Sequence, residues 1–106
     1  MDDRITRREI KGILGLTHSQ HDAFIDFNVP SILDYVERIC GVEFETIPPG
    51  LKRVIAQMLQ FHILEAERIG IKSESYGDYS ASYTTDYPDY ILKGLSLYKD
   101  KKAKFI

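Results

Sequence analysis

Three histidines and one cysteine are the residues of this chain best suited to do chemistry. His18 and His21 stand three apart in Thr17-His18-Ser19-Gln20-His21, a spacing that places two imidazoles together on a helical turn. A transition metal would need a third and a fourth ligand, and only Asp22 is near in sequence. The pair therefore reads as two surface histidines at a helix start, with no metal expected. His62 falls among apolar residues at helical spacing, where a half-buried histidine with a backbone partner is the ordinary case. Cys40 and His62 would make a nucleophile and its base if they met, yet nothing in the sequence brings them together. A lone cysteine at a helix end reads as a small buried apolar group. Glu65 and Glu67, like Glu43 and Glu45, are two residues apart, which on a helix turns a pair to different sides. The seven glycines are scattered as caps and turns, with no phosphate-cradling loop. No catalytic, cofactor or metal site emerges, and the chain does not read as an enzyme.

The chain's size and charge narrow the classes further. At 106 residues and 12.2 kDa it suits one domain, and 43% apolar residues suffice for one packed core. Fourteen basic against 16 acidic residues leave a net charge of −2, so no general basic excess exists to hold a nucleic-acid backbone. The single cysteine excludes an internal disulfide framework. No apolar run approaches the roughly 18 residues of a membrane span, and Met1-Asp2-Asp3-Arg4 is not a signal peptide. A small soluble intracellular domain is expected.

Four helices account for most of the sequence. Residues 5–15 form the first, with Thr6 and Glu9 as a capping box, Ile5 and Ile10 as a hydrophobic staple, and an apolar stripe of Ile10, Ile13 and Leu14. Gly15 stops it. Ser19 and Asp22 mark a second start, followed by Ile25, Val29, Ile32, Val36 and Ile39 at steps of three and four, broadened by Phe24, Leu33 and Cys40. Pro30 predicts either a kink or two helices meeting, and Gly41 closes the element with Val42 folding back. After the Pro48-Pro49-Gly50 turn, a long third helix over roughly 49–69 carries Leu51, Ile55, Met58, His62, Ala66 and Ile69 inward, supported by Val54 and Leu59 and capped by Gly70-Ile71. Pro88, at a first helical position, starts a last helix through Ile91, Leu92 and Leu95 to about Tyr98. The fold class is mainly α: a small bundle of about four helices with a long third one and a short Tyr/Ser-rich hairpin or loop before the last. Residues 1–98 form one helical domain and 99–106 a basic tail.

The Tyr/Ser stretch differs in kind from the rest. Residues 73–90 hold five of the seven tyrosines (Tyr76, Tyr79, Tyr83, Tyr87 and Tyr90), four acids and no base. Tyrosine combines a rigid apolar ring with a hydroxyl and loses little entropy on ordering, so an interface is favoured over a lid on the core. Lys99, Lys101, Lys102 and Lys104 give the tail a charge of +3 against the −4 of the tyrosine segment. Copies that pair one with the other would have a use for both. The second basic cluster, Arg4, Arg7, Arg8 and Lys11, is diluted by Asp2, Asp3 and Glu9.

Taken in order, these features become familiar. Ile5-Thr6 opens a helix that ends in Leu14-Gly15-Leu16, and Tyr35-Val36-Glu37-Arg38-Ile39-Cys40-Gly41 ends the second. Pro48-Pro49 precedes the long helix, and Gly70-Ile71-Lys72-Ser73-Glu74-Ser75-Tyr76-Gly77-Asp78-Tyr79-Ser80-Ala81-Ser82-Tyr83 follows it. The arrangement resembles the small head–tail connector (head-completion or adaptor) proteins of long-tailed double-stranded DNA phages and their prophage relatives. Pro30 inside the second helix and Tyr76 at an otherwise aliphatic position depart from the family pattern. The resemblance implies a structural, non-enzymatic protein without cofactors, found at the head–tail junction of the virion and in the host cytoplasm during assembly. It implies a ring of copies, expected to be twelve-fold, below the portal protein. The ring would extend the channel for genomic DNA, which passes without sequence-specific binding, and would offer a tail-side stopper or tail-completion protein a docking surface. No membrane is involved. Tyr76, Asp78, Tyr79, Tyr83, Lys99, Lys101, Lys102 and Lys104 are the candidate interface residues. The alternative is a small helical DNA-binding or regulatory protein of a prophage, with Arg4 to Lys11 on the DNA backbone.

Overall fold

The computed structural model describes residues 4–68 and 87–99, and these contain four helices and no strand: α1 (Arg7–Leu14), α2 (Asp22–Cys40), α3 (Pro49–Arg68) and α4 (Asp89–Ser96). The expected Tyr/Ser hairpin or loop, the Gly70-Ile71 cap and Ile69 lie outside the described residues.

Local signals explain the ends of α1. Thr6 is the N-cap in extended conformation, its hydroxyl accepting from the Glu9 amide at 3.1 Å while the Glu9 carboxylate accepts from the Thr6 amide at 3.0 Å. Ile5 and Ile10, the two ends of the staple, are both fully buried. Gly15 takes the left-handed conformation at φ 73°, where a Cβ is costly, and its amide returns to the Lys11 carbonyl. Ile13, expected inward, is 38% exposed.

Helix α2 runs through Pro30 as one helix rather than two. Pro30 and Asp26 are both exposed, so water reaches the Asp26 carbonyl that the missing amide cannot serve. The helix opens at His21, not Ser19; Ser19 contributes its carbonyl to the Asp22 amide at 3.1 Å instead of a side-chain cap. Ile25, Val29, Ile32 and Val36 are buried as expected, but Ile39 is 41% exposed. Cys40, four residues after Val36, takes the inward place, and its thiol donates weakly to the Leu95 carbonyl at 3.8 Å.

Helix α3, 20 residues and about 30 Å long, is the central element: α1, α2 and α4 all pack on it. That is why it buries Ala56 and Ile63 in addition to the stripe visible in the sequence. Pro88 is the N-cap of α4 rather than its first residue, and its carbonyl accepts from the Ile91 amide at 3.0 Å. The helix ends at Ser96, and Leu92 is 40% exposed because Ile91 and Leu95, four apart, make the buried edge. Gly94 lets α4 approach α3 closely, since a Cβ there would lie 2.8 Å from Val54 Cγ2.

Candidate interaction surfaces

Of the expected interface residues, Tyr76, Asp78, Tyr79, Tyr83, Lys101, Lys102 and Lys104 lie outside the described residues. Lys99 lies within them. It is half-buried just beyond α4, near enough to Cys40 for its charge to oppose the upward push that burial gives the thiol. The two tyrosines at the end of the 73–90 stretch divide: Tyr87 is 5% exposed and Tyr90 is 56% exposed. Tyr87 covers the core, and Tyr90 is open to a partner.

Tyr87 also answers the question of His62. The imidazole is fully buried, and its Nε2 lies 2.6 Å from the Tyr87 hydroxyl. Tyr35 and Phe61 flank Tyr87 at ring separations of 5.5 and 5.4 Å. Burial holds the His62 pKa down at about 4, with Glu65 pulling the other way. The imidazole packs inside an aromatic cluster with Phe61 and Tyr87.

The histidine pair is not a pair of surface residues. His18 is exposed, whereas His21 is buried beside it with ring centroids 5.5 Å apart. Burial lowers the His21 pKa, against the pull of the Glu67 and Asp22 carboxylates. Among the described residues no group of three metal-ligating side chains comes together.

Three of the four residues of the front basic cluster, Arg4, Arg7 and Lys11, make ion pairs within the subunit, and Arg8 is exposed. Arg7 pairs with Asp26 at 2.8 Å, and Lys11 pairs with Asp22 at 2.8 Å, holding that carboxyl below its usual range. Arg4 donates to Glu37 at 2.9 Å and to the Phe44 carbonyl at 2.7 Å. Lys52 bonds Glu9, tying α3 to α1 and, with the Thr6 amide, lowering the Glu9 pKa. These contacts fasten α1 across α2 and α3.

Two open grooves flank Lys52. One of about 440 Å³ runs between α1 and the start of α3, lined by Glu9, Gly12, Ile13, Pro49, Lys52 and Arg53. The other, about 320 Å³, is lined by Arg4, Glu45, Thr46, Ile47 and Lys52. Neither holds a set of groups able to move a proton and attack a substrate. Sequence reasoning missed both, although an interior glycine in α1 was the available signal for the first.

Comparison with curated proteins gives the functional lead. The chain is 28% identical over 98 residues to the head completion protein gp15 of Bacillus phage SPP1, covering 87% of this chain and 93% of the relative. The chain is a homologue of a phage head-completion protein. The match spans most of both chains rather than a shared fragment. No family model matches the chain, and no solved structure matches it. Among the described residues, no helix is long and apolar enough to cross a membrane.

Proposed function

We propose that the chain is a structural protein of phage head completion, acting as the adaptor between head and tail. Copies form a ring below the portal protein, extend the channel for genomic DNA, and present a docking surface to a tail-side stopper or tail-completion protein. The observation that carries this reading is the near full-length match to a head completion protein. The engaged state of Arg4, Arg7 and Lys11 supports it over a DNA-binding regulator, because phosphate contacts would have to compete with ion pairs already made.

In this reading Tyr76, Asp78, Tyr79 and Tyr83 make a polar, aromatic contact within the ring or toward the next component. Lys99, Lys101, Lys102 and Lys104 reach the portal. A net charge of −2 suits a channel wall along which DNA slides without sticking. An affinity pull-down of tagged protein from infected or induced host cells tests the proposal. Recovery of portal and tail-side proteins is the expected result; recovery of DNA or a host regulator with no virion component would overturn it.

A further inference from the structure

Gly12 is out of place in α1. It stands inside a helix, where glycine costs about 1 kcal/mol relative to alanine, and a Cβ there would meet nothing within 4 Å. Gly94 and Gly50 differ, because a Cβ at either would strike Val54 or Tyr98. Packing within the subunit accounts for glycine at positions 50 and 94 and not at position 12.

The space above Gly12 opens into the α1–α3 groove of about 440 Å³. Gly12, Ile13 and Pro49 give it an apolar floor, and Ile13 is 38% exposed there. Lys52 is paired with Glu9 across the groove, so the basic charge left at its edge is that of Arg53 and of exposed Arg8, one turn before Gly12 on α1. A helix backbone bared by glycine lets a flat ring lie close, and a basic rim selects an acidic chain carrying that ring. Residues 73–86 of this sequence have that chemistry: Tyr76, Tyr79 and Tyr83 among Glu74, Asp78 and Asp86, with no basic residue.

We propose that the α1–α3 groove seats residues 73–86 of a second copy of the chain, an assignment that rests on the ring reading above. Placement favours a second copy over the same one. The groove lies at the N-terminal end of α3, whereas the segment departs after Arg68 and returns at Tyr87 against His62. From Lys52 to Arg68 the helix rises about 24 Å. The described residues that bracket the segment, Arg68 and Tyr87, and the groove beside Lys52 thus stand toward opposite ends of α3, the relation that a head-to-tail contact around a ring uses.

Mixing two singly substituted chains, Gly12→Cys and Tyr79→Cys, and oxidising them tests the contact, since that disulfide forms only between copies with Cα atoms within about 7 Å. Tyr76→Cys and Tyr83→Cys complete the scan; Cys40 is buried and does not compete. The expected result is a heterodimer, identified by mass spectrometry, for at least one tyrosine position, and its loss when Arg53→Glu is added to the Gly12→Cys chain. No heterodimer at any of the three positions overturns the proposal. So does a doubly substituted chain that closes only on itself. Sedimentation of the unsubstituted protein, alone and with portal protein, separates the two levels. Assembly without cross-links removes the groove contact alone, and absence of assembly removes the ring reading with it. A second variant, Gly12→Leu, extends a side chain into the groove from a Cβ position with nothing within 4 Å. It should keep its helical circular dichroism while assembly requires at least tenfold more protein; unchanged assembly would count against the contact.

Discussion

The Tyr87 hydroxyl lies 2.6 Å from Nε2 of His62, and this one contact ties the residue entering α4 to the middle of α3. Both side chains are buried, and Tyr35 of α2 closes on the same ring at 5.5 Å. Side chains of α2 and α3 thus converge on Tyr87, two residues before α4 begins.

The burial of His62 makes stability depend on pH. The His62 pKa is about 4 in the folded chain because burial disfavours the imidazolium, against an ordinary 6.5 in the unfolded one. The unfolded state therefore binds the extra proton first, and stability falls as pH drops from about 6.5 toward 4. The full loss is on the order of 3 kcal/mol. Urea unfolding of wild type and His62→Gln at pH 7 and pH 4.5 checks this. The wild type should lose most of that amount, and the variant should show a flatter pH dependence across the same interval. Tyr87→Phe should cost about 1 kcal/mol at pH 7 through the lost hydrogen bond.

Two glycines should answer alanine in opposite directions. Gly94→Ala pushes a methyl toward Val54 Cγ2 at 2.8 Å, and valine in a helix has little rotamer freedom to yield. Overpacking of about 1–3 kcal/mol then exceeds the roughly 1 kcal/mol gained in helix propensity. Gly12→Ala meets nothing within 4 Å and should stabilise by about 0.5–1 kcal/mol. Thermal melts of the two variants should move to lower and higher temperature respectively.

Glu37 closes the end of α2 twice over. Its backbone carbonyl accepts from the Gly41 and Val42 amides at 2.9 and 3.2 Å, and its carboxylate accepts from the Phe44 amide at 2.9 Å and from Arg4 at 2.9 Å. Glu37→Ala keeps the first pair and deletes the second, so the helix cap should survive while residues 42–45 loosen. The expected cost is about 1–3 kcal/mol, with faster hydrogen exchange at the Phe44 amide as the specific readout. Protection at Phe44 equal to wild type would show that the carboxylate is not what orders this turn.

The parts of this fold that can be read from sequence are those decided within a few residues. The Thr6–Glu9 box, the Gly15 and Gly41 caps and the inner stripe of α3 from Leu51 to Ala66 depend on neighbours at three and four positions, and each stands in the structure. Ile39 and Leu92 were misplaced because steps of three and four compete at a helix end, and the neighbouring helix decides between them. His62 with Tyr87, and Lys52 with Glu9, join residues 25 and 43 positions apart, and no local pattern announces such partners. The groove is likewise a product of tertiary packing: its sole trace in the sequence is a glycine in α1 that the helix itself does not need. The stronger interface signals, Tyr76 to Tyr83 and the last lysines, fall outside the described residues.

Tyr79 and Tyr83 should matter to assembly more than to folding. The buried core of the described residues closes with Tyr87, His62, Tyr35 and Phe61 in place. A double Tyr79→Ser, Tyr83→Ser variant should therefore keep its helical circular dichroism and lose assembly on the portal. Loss of the helical signal would instead assign these rings to covering the core.

The lysine tail is best separated from the domain after Lys99 rather than before it. Lys99 is half-buried, and its ammonium is felt at Cys40, at the C-terminal end of α2 where a cation opposes the helix dipole favourably. Removing Lys99 would disturb that junction and confuse folding with attachment. A chain ending at Lys99 loses Lys101, Lys102 and Lys104 while keeping α4 and its contacts with α3. It should melt at the wild-type temperature and fail to co-sediment with portal protein at moderate salt. Full-length chain should attach and be released as salt is raised, since exposed lysine contacts are screened beyond about 8 Å at physiological ionic strength. Normal attachment by the shortened chain would move the portal contact off the tail and onto the helical body, where exposed Tyr90 and Leu97 on α4 and the turn after it become the residues to substitute next.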